Sequence, residues 1–292
     1  GEVGEVSSTE LRFLKPEEVK SGVRLSCMVH PQCDLEVELM QKERKHEVLS
    51  KGYVPKFEKD LDIVKQVVNI HKPLLTDQTP FEDQIKEQLS DVEFPFSVLR
   101  GFCFKEGSYT AVIHREKDGK KVLMDLEEGD TTDSMYGIAI DIGTTTVSAL
   151  LIDMKSGEIL GKASSGNGQI RYGADVINRI IESMKPGGSE KLQKAVIQET
   201  INPMIQQMCR ASGFKPEHIY RLSIASNTTM NHLLTGMNGD PIRMEPYIPT
   251  FYKTNSLFAS DIGIQVNPDA HIIMAPNIGS YVGGDITAGT LV

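Results

Sequence analysis

The sequence has no tryptophan, only 6% aromatic residues and four cysteines in 292 positions. So few cysteines in a chain of this length exclude a secreted disulfide scaffold and point to a reducing compartment, hence a cytoplasmic setting. No run of 18 apolar residues and no signal peptide occur, so no membrane partner is expected. Basic charge is also short: 31 Lys+Arg against 40 Asp+Glu leave a formal net charge of −9. Nucleic acid is therefore not an expected partner, because phosphate contacts need a basic face. No G-x-G-x-x-G follows a strand, which removes the dinucleotide-binding reading. The segment Gly157–Ala163 is one residue short of a Walker loop and lacks its hydroxyl, leaving Lys162 as a solvated charge. Neither H-E-x-x-H nor C-x-x-C is present, and a zinc site is not expected.

What remains is enough chain for about two domains of ordinary size. Before residue 41, Leu14–Val19 reads as a helical turn with Pro16 near its start, and 34–39 alternates acidic and aliphatic residues like a half-buried strand. Residues 41–60 are charged and unpatterned. Leu61–Lys65 reads as a strand or short helix, Pro80–Leu89 as a polar helix, and Ser108–His114 with Lys121–Leu126 as a hairpin across Asp118-Gly119. From Tyr136 three strands follow in sequence, over 137–141, 145–152 and 158–164, with turns too short for anything but an antiparallel meander. One helix is expected over 173–184. A second is expected from a Ser189 cap to Gly213, with Leu192, Val196, Met204, Ile205, Met208 and Cys209 on one face and a kink at Pro203. Strands at 222–225 and 271–275 and helices at 228–234 and from Gly283 complete an α/β pattern.

Asp141-Ile142-Gly143-Thr144-Thr145-Thr146 is the strongest local signal for chemistry. A glycine turn can present backbone N–H groups to an anion, three threonines add hydroxyl donors, and Asp141 at a strand end can hold a hydrated Mg²⁺. An ordinary hairpin with threonines chosen for strand propensity is the alternative reading of these residues alone. Asp175 reads either as a helix-start acid or as a carboxylate that orients an attacking water, and Asp285 either as a helix-start acid or as a residue lining a cleft. Asn227 or Thr228 reads as a helix cap after a strand.

The segment from Tyr136 to Leu160, YGIAIDIGTTTVSALLIDMKSGEIL, resembles the first phosphate motif of the superfamily of acetate and sugar kinases, heat-shock chaperones and actin. The continuation is more particular. Asn167-Gly168-Gln169, Tyr172 through Ile180, Ser226 through Met230 and Tyr281-Val282-Gly283-Gly284-Asp285 together resemble the reductive activators of corrinoid proteins. The resemblance covers essentially the whole chain.

That resemblance implies a multidomain α/β protein. Its parts would be the end of a [2Fe–2S] ferredoxin-like β-grasp domain over 1–41, a linker over 42–60, a small α/β middle domain over 61–134, and the first lobe of an actin-like, RNase H-like ATPase over 135–292. It implies ATP, Mg²⁺ and a [2Fe–2S] cluster as cofactors, with Cys27 an iron ligand and the other three ligands upstream of Gly1. Asp141, Gly143, Thr144, Thr145, Thr146, Asn227, Thr228, Gly283 and Gly284 would bind nucleotide, Asp141 would serve Mg²⁺, and Asp175 and Asp285 would be catalytic. The expected function is ATP-dependent reduction of a Co(II)-corrinoid protein, a methyltransferase or a corrinoid iron–sulfur protein, with an external electron donor and a homodimer as a further candidate. Cys33 and Cys103 receive no role and Cys209 is assigned to the core. The start without Met and the apolar end are expected to be cuts through larger domains, which would leave this stretch inactive alone. Two rivals stand beside this reading: a small-molecule kinase of the superfamily, and a non-enzymatic actin- or chaperone-like nucleotide switch.

Overall fold

The computed structural model describes residues 3–26, 28–31, 33–34, 36–37, 58–101, 105–254 and 256–290. The chain divides into two compact units, Gly1–Lys45 and His46–Val292. In the first, α1 (Pro16–Lys20) starts at the proline, as the sequence predicts. Its organising contact is Arg24, which donates to both Glu10 carboxylate oxygens at 2.9 Å and to the Gly4 carbonyl at 2.8 Å. That guanidinium holds the Glu10 carboxyl well below the usual carboxylate range. The strand expected over 34–39 and the segment 41–57 fall partly or wholly outside the described residues, as do Cys27 and Cys103.

The second unit contains two sheets. The smaller is built from β1 (Ile63–Ile70), β2 (Val92–Glu93), β3 (Gly107–Arg115) and β4 (Lys121–Glu128), in the order β1-β3-β4-β2. β1 to β3 and β3 to β4 pair antiparallel, β2 to β4 parallel. Helices α2 (Phe81–Gln88) and α3 (Phe96–Gly101) accompany this sheet. Ile85 of α2 is buried with Val68, Ile70, Ala111, Ile113 and Leu123 of the strands. Of the span 61–65, residues 63–65 resolve as the start of strand β1 and 61–62 lie before it, with Ile63, Val68 and Ile70 buried along the strand. The two-residue β2 and α3 have too short a pattern to be read from sequence.

The larger sheet has β5 (Tyr136–Ile142), β6 (Thr146–Asp153), β7 (Ile159–Gly166), β8 (Ile219–Ser226) and β9 (His271–Met274), ordered β7-β6-β5-β8-β9. The first three form the antiparallel meander, while β8 and β9 run parallel to β5. β5 is the central strand, with Ile138, Ile140 and Ile142 all at 3% exposure or less, which explains its nearly continuous apolar sequence. Helix α4 (Val176–Ser183) is shorter than expected, because extended Asp175 caps its start by accepting from the Asn178 N–H, after a 3-10 turn over Gly168–Tyr172.

The long helix expected from a Ser189 cap is instead α5 (Gly188–Val196), a π turn over Ile197–Ile201, and α6 (Asn202–Ser212). Its N-cap is Gly187 at φ +69°, and the Ser189 hydroxyl donates to the Ser183 carbonyl instead. Where Pro203 removes a backbone donor, the chain widens into the π turn. The expected apolar face holds: Leu192, Val196, Met204, Ile205, Met208 and Cys209 are all buried against the sheet. Helices α7 (Thr228–Leu234), α8 (Asp240–Arg243), α9 (Ala259–Ile262) and α10 (Gly284–Gly289) complete the unit. No helix among the described residues is long and apolar enough to cross a membrane.

Candidate active site

β5, β8 and β9 run parallel, so their C-terminal ends lie on one edge of the sheet, where ligands of α/β folds collect. The hairpin after β5 carries Asp141 to Thr146, the turn after β8 carries Asn227, and the segment after β9 leads to Gly283–Asp285. The topology therefore brings three sequence-distant motifs together. Steric fit makes the approach close. A Cβ on Gly283 would stand 2.4 Å from the Asn227 Cα and 2.6 Å from the Thr228 nitrogen. A Cβ on Gly284 would stand 2.5 Å from the Ala275 carbonyl oxygen.

The turn itself is closed by the Gly143 N–H donating to the Thr146 carbonyl at 2.9 Å. Gly143 is required for space rather than for a left-handed φ, since a Cβ there would meet that same carbonyl oxygen at 2.8 Å. Its own N–H is thus spent inside the turn. Among the described residues, the amides of Thr144 and Thr145 and the hydroxyls of Thr145 and Thr146 have no hydrogen-bond partner within the chain. These are the donors available to an anion.

Two residues that sequence reasoning quoted without giving them a role hold the turn from behind. Asn167 accepts from the Gln169 N–H at 3.0 Å and donates through Nδ2 to the Gly143 carbonyl at 2.9 Å. Arg179, on α4, is wholly buried and donates to the Thr144 carbonyl at 2.5 Å, the Gly173 carbonyl at 2.9 Å and Gln169 Oε1 at 3.3 Å. Burial lowers its pKa to about 10, which still leaves it charged at neutral pH. The available signal was a single cation inside the apolar run Val176-Ile177-Asn178-Arg179-Ile180-Ile181.

Asp141 is exposed at the end of β5, yet its carboxyl is raised above the ordinary range, first by desolvation and then by the charge of Asp285. A carboxylate whose ionisation is opposed by burial and by a neighbouring acid suits a site completed by a cation. Asp285 accepts from the Ile286 N–H at 2.9 Å at the start of α10. Asp175 is the N-cap of α4, one oxygen accepting from the Asn178 N–H and the other from its Nδ2, both at 2.8 Å. Asn227 caps α7 by accepting from the Met230 N–H at 2.9 Å, and its Nδ2 reaches the Thr144 hydroxyl at 3.5 Å. Thr228 is wholly buried, and its hydroxyl donates to the Gly279 carbonyl at 2.6 Å. Thr228 thus ties down the segment that carries Gly283.

The profile of a protein family described as the RACo middle region matches residues 136–292, more than half of the chain. This chain belongs to that family. The RACo match begins at Tyr136, the first residue of β5, and contains every element of the larger sheet. The chain is 33% identical over 198 residues to a corrinoid activation enzyme, RamQ, of Eubacterium limosum, over 66% of this chain and 33% of that protein. It also resembles a solved reductive activator for a corrinoid, iron–sulfur protein, at TM-score 0.66 and 31% identity over 98% of this chain and 49% of that one. The chain thus spans about a third and about half of these two relatives.

Proposed function

We propose that this chain is the nucleotide-binding part of an ATP-dependent activator that reduces the Co(II) state of a corrinoid protein. The observation that carries the proposal is the braced Gly143 turn, with open amide and hydroxyl donors, beside Asp141, whose carboxyl is raised by burial and by the charge of Asp285. Membership of the RACo family supports the activator over the kinase and switch alternatives. Thr144 and Thr145 would hold phosphate oxygens through their amides, with Thr145 and Thr146 hydroxyls beside them. Asp141 would hold Mg²⁺ through water, and the metal would neutralise charge between phosphates. Asn227, Gly283 and Gly284 would shape the wall opposite the turn.

Of the two carboxylates proposed as catalytic, Asp285 is the better supported, since its charge acts on Asp141. Asp175 would have to release Asn178 to orient water. The electron would come from a [2Fe–2S] cluster with Cys27 among its ligands, a residue outside those described. ATP binding and hydrolysis would supply the free energy for electron transfer to cobalt. Full-length protein should bind MgATP, and a Gly143→Ala variant should bind at least about tenfold more weakly. Equal affinity in that variant would sink the assignment of the turn.

A further inference from the structure

Among the described residues, the cations drawn into the fold differ in how their charge is met. Arg24 sits on Glu10, Lys65 on Glu127 and Arg221 on Asp62, each in an ion pair. Arg179 is wholly buried, and among the described residues no carboxylate lies within ion-pair distance of it. Its acceptors are two backbone carbonyls, the Gln169 amide oxygen and, at 3.4 Å, the Met230 sulfur. Such neutral acceptors satisfy its N–H groups without cancelling its charge. The nearest acidic influence is Asp175, which acts on it only through space. A buried, unneutralised charge costs several kcal/mol in general, so a fold that keeps one has a use for it.

Its position supplies the use. One arm of the guanidinium holds the carbonyl of Thr144, the residue whose own amide is open, and another holds the Gly173 carbonyl just before α4. We infer that Arg179 is the positioning residue of the phosphate turn: it fixes the Thr144 and Gly173 carbonyls, and a bound polyphosphate supplies the negative charge it lacks. This rests on the nucleotide reading above and adds that affinity for the triphosphate, rather than for the nucleoside, depends on a side chain behind the turn. The same argument explains why the position carries a fork-shaped cation. Three acceptors in different directions match guanidinium geometry better than an ammonium.

The test measures ATP and adenosine affinities by calorimetry, in magnesium buffer, on full-length wild type, Arg179→Gln and Arg179→Lys. Arg179→Gln should weaken ATP by about tenfold or more while adenosine changes by less than about twofold. Arg179→Lys, which keeps the charge and loses the fork, should weaken ATP by about threefold to tenfold, less than Arg179→Gln does, with adenosine again little changed. Unchanged ATP affinity in Arg179→Gln, or parallel loss of ATP and adenosine, would overturn the inference. Should Arg179→Gln not fold, unchanged ATP affinity in Arg179→Lys, or parallel loss of ATP and adenosine there, overturns it equally. A wild-type protein that binds neither ligand would instead overturn the nucleotide reading itself.

Discussion

Gly283 shows how a single residue sets the geometry of the proposed site. Its missing Cβ lets the segment after β9 rest on the backbone of Asn227 and Thr228, where neither contacting atom can swing away. Gly283→Ala should therefore cost about 3 kcal/mol of stability in urea unfolding. Gly166→Ala, at a position with nothing within 4 Å, should stay within about 0.5 kcal/mol. Asp141 makes the opposite prediction. Its carboxyl titrates above its ordinary value of 3.8 in the folded chain, so the unfolded chain ionises first as pH rises, and stability falls through that window. Asp141→Asn should consequently melt higher than wild type at pH 7 without magnesium, with the difference vanishing below the ordinary carboxylate value. It should also bind MgATP about tenfold more weakly. Scanning calorimetry at two pH values and a nucleotide titration check both halves.

At the scale of elements, the two sheets of the larger unit are joined by buried charge as well as by apolar contact. Ile63, Val112, Met124, Met135 and Tyr220 form a shared cluster, and beside it Lys65 pairs with Glu127 at 2.8 Å. Lys65 also donates to the Ser134 carbonyl at 2.7 Å and lies over the Tyr220 ring, whose hydroxyl donates to Glu127. The lysine side chain is only 2% exposed, so removing its partner strands a charge. Glu127→Gln should cost about 3 kcal/mol, and adding Lys65→Met should recover more than about 1 kcal/mol of that loss in a double-mutant cycle. This junction was not legible in the sequence, because its members are far apart and each looks like an ordinary surface charge. Local pattern did define β3 to β9 and α7. The period-two strands and the Asn227 cap are short-range signals that tertiary packing reinforced. The break at Ile197–Ile201 was visible only as Pro203, since a kink and a π turn answer the same missing donor. The Ser189 cap was a local preference overridden when the chain turned at Gly187.

At the scale of the whole molecule, three histidines make acid a common stress. Burial lowers the pKa of His218 and His232, and that of His271 to about 4, with the Arg221 charge adding to the last. The unfolded chain takes up protons that the folded chain refuses, so stability is lost as pH falls from the ordinary histidine value of 6.5 towards 4. The melting temperature at pH 5 should lie below that at pH 7, and His271→Gln should narrow the difference. Half of the candidate site was legible at this scale: the turn, Asn227 and Gly283–Asp285 were found as motifs. Asn167 and Arg179 were seen only as letters, because their role is to hold carbonyls that no sequence pattern marks. The central claim is that a nucleotide held at the Gly143 turn makes cobalt reduction possible. It is tested most directly by following the Co(II) to Co(I) absorbance change of a corrinoid partner, with full-length protein and an excess of reductant. Co(I) should accumulate with MgATP and fail to accumulate without nucleotide or with the Gly143→Ala variant; equal rates in all three would contradict the account.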